Sequence, residues 1–294
     1  MKEEYVDENK KSRDMFKPSN KVCADMIESL LGIVYLHFGY LASMEVAEQL
    51  GVSLPAKLDS EYESGVANVT VSKSDEERLK KVTTTLMGKS QFNRTDVLLE
   101  AVTHPSCVHE EVPCYQRLEW VGDAVLCLAA REWVYLQYPQ LKVAELAVIE
   151  TTLVCNETLA YLGSSLGIHR HINHRDPSLP HRFSDFEKSI QEGRGLWGTD
   201  PPKVISDVVE ALLGAAFTDS GFQVGQDCAR FLINPVVLAV KKQLQGESYE
   251  QIKAKAREMM HPKQVVHEIA GRYLQARSMR EDEFALRFPG KYQY

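Results

Sequence analysis

Two short apolar stretches of this chain each carry a pair of acids at helical spacing, and few folds can accommodate both. In Arg117-Leu118-Glu119-Trp120-Val121-Gly122-Asp123-Ala124-Val125, Glu119 and Asp123 stand four apart among apolar residues and a glycine. On a helix, positions i and i+4 share a face, so both carboxylates point at one spot. In Lys203-Val204-Ile205-Ser206-Asp207-Val208-Val209-Glu210-Ala211-Leu212-Leu213-Gly214, Asp207 and Glu210 stand three apart and again share a face. Acids gathered in an apolar setting repel one another and resist ionisation unless a proton or cation compensates. Carboxylates brought together from two apolar helices suit Mg²⁺, with Mn²⁺ as a substitute, because such hard cations take oxygen ligands and keep much of their water. One isolated pair would read as solvated helix surface, the ordinary place for Asp and Glu. Two pairs, each in an apolar run, point to a site.

The totals set wide bounds. The 294 residues allow roughly one to three domains with ample material for a core. The formal net charge of −7 speaks mildly against a nucleic-acid partner, since phosphate binding needs Lys and Arg. A carboxylate metal site itself adds negative charge, however, and bound cations neutralise it. The six cysteines (Cys23, Cys107, Cys114, Cys127, Cys155, Cys228) are scattered with no Cys-x-x-Cys pair, which implies a reducing compartment. Cys127 and Cys155 lie in apolar helical runs and are expected as buried thiols. The charged start Met1-Lys2-Glu3-Glu4 does not read as a secretory signal, and no apolar run approaches the roughly 18 residues of a membrane span. A soluble intracellular protein, cytoplasmic or nuclear, is expected.

Tyr115-Gln116-Arg117-Leu118-Glu119-Trp120-Val121-Gly122-Asp123-Ala124-Val125-Leu126 closely resembles the signature of ribonuclease III in its Dicer-type spelling. Pro202-Lys203 to Gly221 resembles the second half of the same catalytic domain, and Thr103-His104-Pro105-Ser106 the turn that precedes the signature. The resemblance implies an all-α helical nuclease domain: a Mg²⁺-dependent endoribonuclease that hydrolyses double-stranded RNA with two metals, in Dicer-like RNA processing. It implies Glu119, Asp123, Asp207 and Glu210 as metal-binding catalytic acids, with Glu210 the one the family relies on to hold metal. Lys203, one helical turn before Asp207, gains a supporting role toward phosphate or the acids. The family cuts both strands by pairing two catalytic domains, which implies a homodimer or pairing with another ribonuclease III domain. Some positions depart from the pattern: Trp120-Val121 replaces the usual Phe-Leu, Cys127 stands where an acid is common, and Glu150 lies where an arginine is usual. No metal ligand is lost by these changes, but they bear on RNA contacts and the pairing surface.

An internal repeat extends the resemblance. Lys21–Gly32 aligns with Lys203–Gly214 without a gap, and residues 21–40 share eight identities with 203–222, including Lys21, Asp25, Glu28 and Gly39. This reads as a duplicated catalytic domain, as in Dicer-like enzymes. Nothing upstream of Lys17 offers a Glu-x-x-x-Asp partner, so Asp25, Glu28 and Lys21 form half a site. The expected organisation is a charged tail (1–16), the closing part of a first ribonuclease III domain (17–54), a linker (55–76), a complete domain (77–245), and a C-terminal segment (246–294). Within the complete domain, Asp96–Val102 is expected as a short amphipathic helix, Leu141–Leu166 shows further helical periodicity and resembles the family's core helices, ending at Gly167, and no strand is expected. Ile168–Gly198, rich in His and Arg, reads as a loop with three candidate roles: a metal site, a surface for RNA phosphates, or a plain solvated insertion. Arg170, Arg175, Arg182 and, further on, Lys263 are the candidate RNA contacts. Tyr249–Met260 is a basic helical stretch, and His261–Ala270 with Glu283–Phe288 resembles part of a double-stranded-RNA-binding domain of α/β type.

Trp120 reads as a core residue, because base stacking needs an exposed ring. Gly122 and Gly214 read as places of close helix packing. Two rivals to the nuclease remain: a non-catalytic ribonuclease-III-like RNA binder of the mitochondrial-ribosome kind, and an inactive partner subunit. Intact acids at 119, 123, 207 and 210 favour the enzyme.

Overall fold

The computed structural model describes residues 19–52, 71–87, 92–107, 113–192 and 200–258. The chain divides into two compact units, Met1–Tyr62 and Glu63–Tyr294.

The first unit contains α1 (Asn20–Phe38) and α2 (Tyr40–Gln49). Ser19 caps α1, its hydroxyl accepting the Val22 N–H at 3.3 Å, which satisfies one of the donors left free at a helix start. Gly39 joins the helices at φ 85, ψ −177, a conformation that disfavours any residue with a Cβ. None of the α1 residues is buried, and Val22, Met26, Leu30 and Ile33 leave an apolar face open.

The second unit contains α3 (Lys73–Met87), α4 (Thr95–Ala101), α5 (Gln116–Gln137), α6 (Val143–Val154), α7 (Asn156–Ser165), α8 (Leu179–Gln191), α9 (Lys203–Leu244) and α10 (Tyr249–Glu258), with short 3-10 turns at Pro105–Cys107 and Ile168–His171. Among the described residues the only β pairing is a single bridge between Thr103 and Asn173. The architecture is all-α, as expected. Helix α5 packs along the first half of α9, and two glycines set how closely they approach. A Cβ on Gly122 would run into the carbonyl oxygen of Glu210, and one on Gly214 into that of Leu118. Around this crossing Leu118, Leu126, Ile149, Leu153, Leu159, Ile205, Leu212 and Leu213 are buried almost completely. Each such side chain contributes about 1.5–3 kcal/mol by leaving water. Gly221, at φ 84 and ψ −178, bends α9 in the middle.

Several expectations need correction. The linker ends earlier than residue 76, because α3 begins at Lys73; the Ser72 hydroxyl accepts the Asp75 N–H at 3.1 Å and Asp75 and Glu76 occupy the first turn. The helical periodicity expected at 141–166 is present as two helices, separated where Cys155 turns extended at ψ 155. The supposed loop at 168–198 contains a 3-10 turn and all of α8; Leu179, Phe183 and Phe186, spaced for one helical face, are buried in it. Buried His169 bonds Glu187 at 2.9 Å, tying the 3-10 turn to α8. Trp120 is no core residue: it is 80% exposed, since the inner face of α5 is filled by Leu118, Gly122, Val125 and Leu126. Cys127 and Cys155 are partly exposed rather than buried. Residues 1–16, most of the linker, and 259–294, including the RNA-binding-domain-like segment and Lys263, lie outside the described residues.

Candidate active site

The crossing of α5 and α9 brings the two acidic segments together. Glu119 sits in the first turn of α5, Lys203 starts α9, and Asp207 and Glu210 follow one and two turns later. Carboxylate oxygens of Glu119, Asp207 and Glu210 all lie within 4.8 Å of one another. Among the described residues this is the one group of three or more acid, His or Cys side chains close enough to share an ion. Asp207 and Glu210 are nearly buried, at 6% and 8% exposure, while Glu119 is partly open. Asp123 is exposed, outside the group of three, and its carboxylate receives the Cys127 thiol at 3.5 Å. Its charge is still felt at Glu210.

The electrostatics are those of acids held together against their repulsion. Burial, then the charges of Asp123, Asp207 and Glu119, push Glu210 up to about 8, so it carries a proton at neutral pH. Burial and Asp207 also raise Glu119, with Lys203 opposing. The Lys203 ammonium donates to Glu119 Oε1 at 3.3 Å and to Asp207 Oδ1. Burial works against its charge, but Asp207 and Glu119 outweigh it and hold Lys203 above the usual lysine range. One lysine is too little counter-charge for this set of acids. A divalent cation would supply the missing charge, and an all-oxygen donor set is the kind that Mg²⁺ and Mn²⁺ take.

Two features of the surroundings carried no expected role. Tyr115, at the N-cap of α5, donates its hydroxyl to Asp207 Oδ2 at 3.2 Å. The residue belongs to the signature stretch, yet nothing in its local spacing indicates a partner on another helix. Glu100 on α4 is fully buried with neither carboxylate oxygen hydrogen-bonded; burial raises its pKa and the nearby Arg117 charge opposes this. In the Thr103–Ser106 turn, His104 Nδ1 accepts the Ser106 N–H at 3.1 Å and Ser106 Oγ accepts the Arg175 N–H at 2.8 Å, so the turn is held both from within and from the 168–178 segment.

The other candidates lie elsewhere. Lys21, Asp25 and Glu28 are exposed on α1, where Lys21 pairs with Asp25 at 3.3 Å and neither acid joins a group of ligands among the described residues. Arg170 is paired with Glu187 at 2.8 Å. The side chains of Arg175 and Arg182 are exposed. The histidines of this segment serve packing and hydrogen bonding: His169 and His174 lie edge-on to Phe183, and His181 bonds Asp185 at 2.7 Å.

The likeness to known proteins runs through α5 and the first half of α9. Residues 116–221 match the Ribonuclease III domain, a span that begins with α5 and ends at the Gly221 bend. The chain is similar to Endoribonuclease Dicer homolog 1 of Arabidopsis thaliana, 31% identical over 211 residues, which is 69% of this chain and 11% of that protein. It is 30% identical over 233 residues to Protein Dicer of Schizosaccharomyces pombe, covering 71% of this chain and 16% of that protein. The chain thus spans only a small part of the length of these curated relatives. A solved nuclease domain of ribonuclease III from Campylobacter jejuni aligns with a TM-score of 0.42 and 25% identity, over 53% of this chain and 96% of that one. No helix among the described residues is long and apolar enough to cross a membrane.

Proposed function

As this chain is a Dicer-like member of the ribonuclease III family, we propose that it hydrolyses phosphodiester bonds in double-stranded RNA with the aid of divalent cations, Mg²⁺ by preference. The observation that carries this reading is the meeting of Glu119, Asp207 and Glu210 oxygens within 4.8 Å at the mouth of two crossing helices. Those three carboxylates would hold the metal, and Asp123 would add its charge from the next turn of α5. Bound cations would supply an activated water and neutralise charge on the phosphoryl and leaving 3′ oxygens. Lys203, 61% exposed at its side chain, can leave its two acids and meet a phosphate oxygen. Glu210, which burial and the neighbouring acids push up to about 8, would release any proton it holds to make room for a bound cation.

A-form RNA is read by shape and by its 2′-hydroxyls, so few base contacts are required. Arg170, Arg175 and Arg182, with exposed side chains on the 168–191 segment, are the described cations proposed to meet RNA phosphates. Cutting both strands takes two catalytic domains. The exposed apolar side chains Trp120 and Val143, on α5 and α6, are proposed as part of the surface that pairs with a second copy or another ribonuclease III domain. The segment from α3 to residue 245 is the complete catalytic domain in this reading, and α1 with α2 the closing part of a first one. The matching backbone angles at Gly39 and Gly221 support the second assignment.

The test is cleavage of a long labelled RNA duplex by the purified chain in Mg²⁺, beside Glu210→Gln. The expected outcome is short duplexes with 3′ overhangs from the wild type and a loss of roughly a hundredfold or more in the variant, the scale of removing a group that stabilises developing charge. Binding of the duplex without cleavage by either protein would defeat the enzyme reading.

A further inference from the structure

Asp207 is the one acid of the site with both oxygens engaged by protein side chains: Oδ1 by the Lys203 ammonium and Oδ2 by the Tyr115 hydroxyl at 3.2 Å. The two partners act differently. An ammonium competes with an incoming cation for the same negative charge, whereas a phenol is neutral and can keep its hydrogen bond while a cation binds. A carboxylate oxygen has lone pairs enough for both.

Tyr115 is well placed to hold Asp207 still. It is 4% exposed, its N–H donates to the Thr103 carbonyl at 2.9 Å, and its own carbonyl accepts the Glu119 N–H at 2.9 Å. One residue therefore joins the Thr103–Ser106 turn, the start of the helix that carries Glu119, and the carboxylate of the helix that carries Asp207 and Glu210. The turn behind it is braced in its own right, by the His104–Ser106 bond and by backbone bonds exchanged between Val102, His104 and Asn173. An acid fixed before the ion arrives loses less conformational freedom on binding than one that must be ordered by it.

Resting on the metal-dependent reading above, we propose that Tyr115 is a positioning residue for divalent-cation binding: its hydroxyl fixes the Oδ2 edge of Asp207 and thereby the geometry that Asp207 shares with Glu119 and Glu210. In this role the residue acts through Asp207, its hydroxyl being spent on Oδ2. Its effect belongs in metal affinity rather than in the rate at saturating metal.

The experiment measures Mn²⁺ binding to the full chain by electron paramagnetic resonance, for the wild type, Tyr115→Phe and Glu210→Gln, with helical circular dichroism as the check on folding. The expected result is a dissociation constant for Tyr115→Phe weaker by roughly tenfold, the lower end of what losing a group that orients a metal ligand costs. The Mn²⁺ concentration that half-activates RNA cleavage should shift by the same factor, and the rate at saturating Mn²⁺ should stay within about threefold of wild type. Wild-type affinity in a folded Tyr115→Phe, alongside lost binding in Glu210→Gln, overturns the positioning role and leaves the metal site standing. Absence of Mn²⁺ binding to the wild type overturns the metal reading itself. Should Tyr115→Phe fail to fold, 4-fluorophenylalanine incorporated at 115 decides the matter: it fills the volume of the hydroxyl, cannot donate, and reports folding through its fluorine resonance. It should weaken Mn²⁺ binding as Phe would, and unchanged affinity there rejects the proposal.

Discussion

Helix α1 and the first half of α9 have nearly the same plan and opposite surroundings. Lys21, Asp25, Glu28, Leu30, Leu31, Gly32 and Gly39 of the one repeat as Lys203, Asp207, Glu210, Leu212, Leu213, Gly214 and Gly221 of the other. The lysine pairs with the first acid in both helices, and the last glycine takes φ 85, ψ −177 in one and φ 84, ψ −178 in the other. Yet Leu212 is fully buried while Leu30 is 42% exposed, and the two acids that are buried in α9 are exposed in α1. What differs is a partner. Helix α5 lies against α9 so closely that Gly214 has no room for a Cβ, whereas among the described residues nothing stands within 4 Å of a Cβ placed on Gly32. A residue pattern sets what one helix can offer; chemistry at a site needs the second helix.

The largest test of this contrast is at the glycines. Gly214→Ala drives a methyl into the Leu118 carbonyl and should cost roughly 3 kcal/mol or more, since both clashing groups are backbone. Gly32→Ala, with open space around it, should gain about 0.5–1 kcal/mol from helix propensity. Urea unfolding followed by circular dichroism reads both, and equal costs would show that α1 is packed as α9 is. Next comes the core. Leu212→Ala should lose about 2–5 kcal/mol and Leu30→Ala no more than about 0.5 kcal/mol by the same measurement.

A third test uses pH. Glu210 is raised to about 8 in the fold, so between its unfolded value near 4.5 and about 8 the folded chain holds a proton that the unfolded chain releases. Stability from this group is therefore complete below about pH 4.5 and is lost as pH rises through 8. Metal-free wild type should lose about 1–3 kcal/mol more than Glu210→Gln between pH 5 and 9, and added Mg²⁺ should restore it at the alkaline end. A parallel pH dependence in the two proteins would show that Glu210 ionises as an ordinary exposed acid. The smallest effect lies at the lysines. Lys21→Met removes an exposed ion pair worth at most about 0.5 kcal/mol, and Lys203→Met, itself largely exposed but serving two acids, about 1 kcal/mol. Thermal unfolding at neutral pH would order the pair.

Much of the site is legible in the residues alone. The spacing of Glu119 with Asp123 and of Asp207 with Glu210, Lys203 one turn ahead, and the packing role of Gly122 and Gly214 are consequences of helical geometry. The repeat at α1 is written in the residues in the same way. All of these depend on neighbours a few positions apart, where a 3.6-residue period fixes direction.

Contacts between distant elements are not legible in that way, and they decide the rest. Trp120 is apolar and sits in an apolar run, but its side of α5 faces away from α9, so the ring is left outside. Asp123 shares a face with Glu119 in principle, yet the crossing leaves it exposed beside Cys127. The segment around His169 and Arg170 holds no ligand cluster among the described residues, because His169 and Arg170 both turn to Glu187 on a helix that the turn-like composition before it conceals. Tyr115 reaches Asp207 across 92 positions of sequence. Local spacing specifies the helices, the acids they carry and the glycines that let two of them meet. Which faces meet, and which carboxylates come to share one space, is set by packing, because both depend on the angle and depth at which whole helices cross.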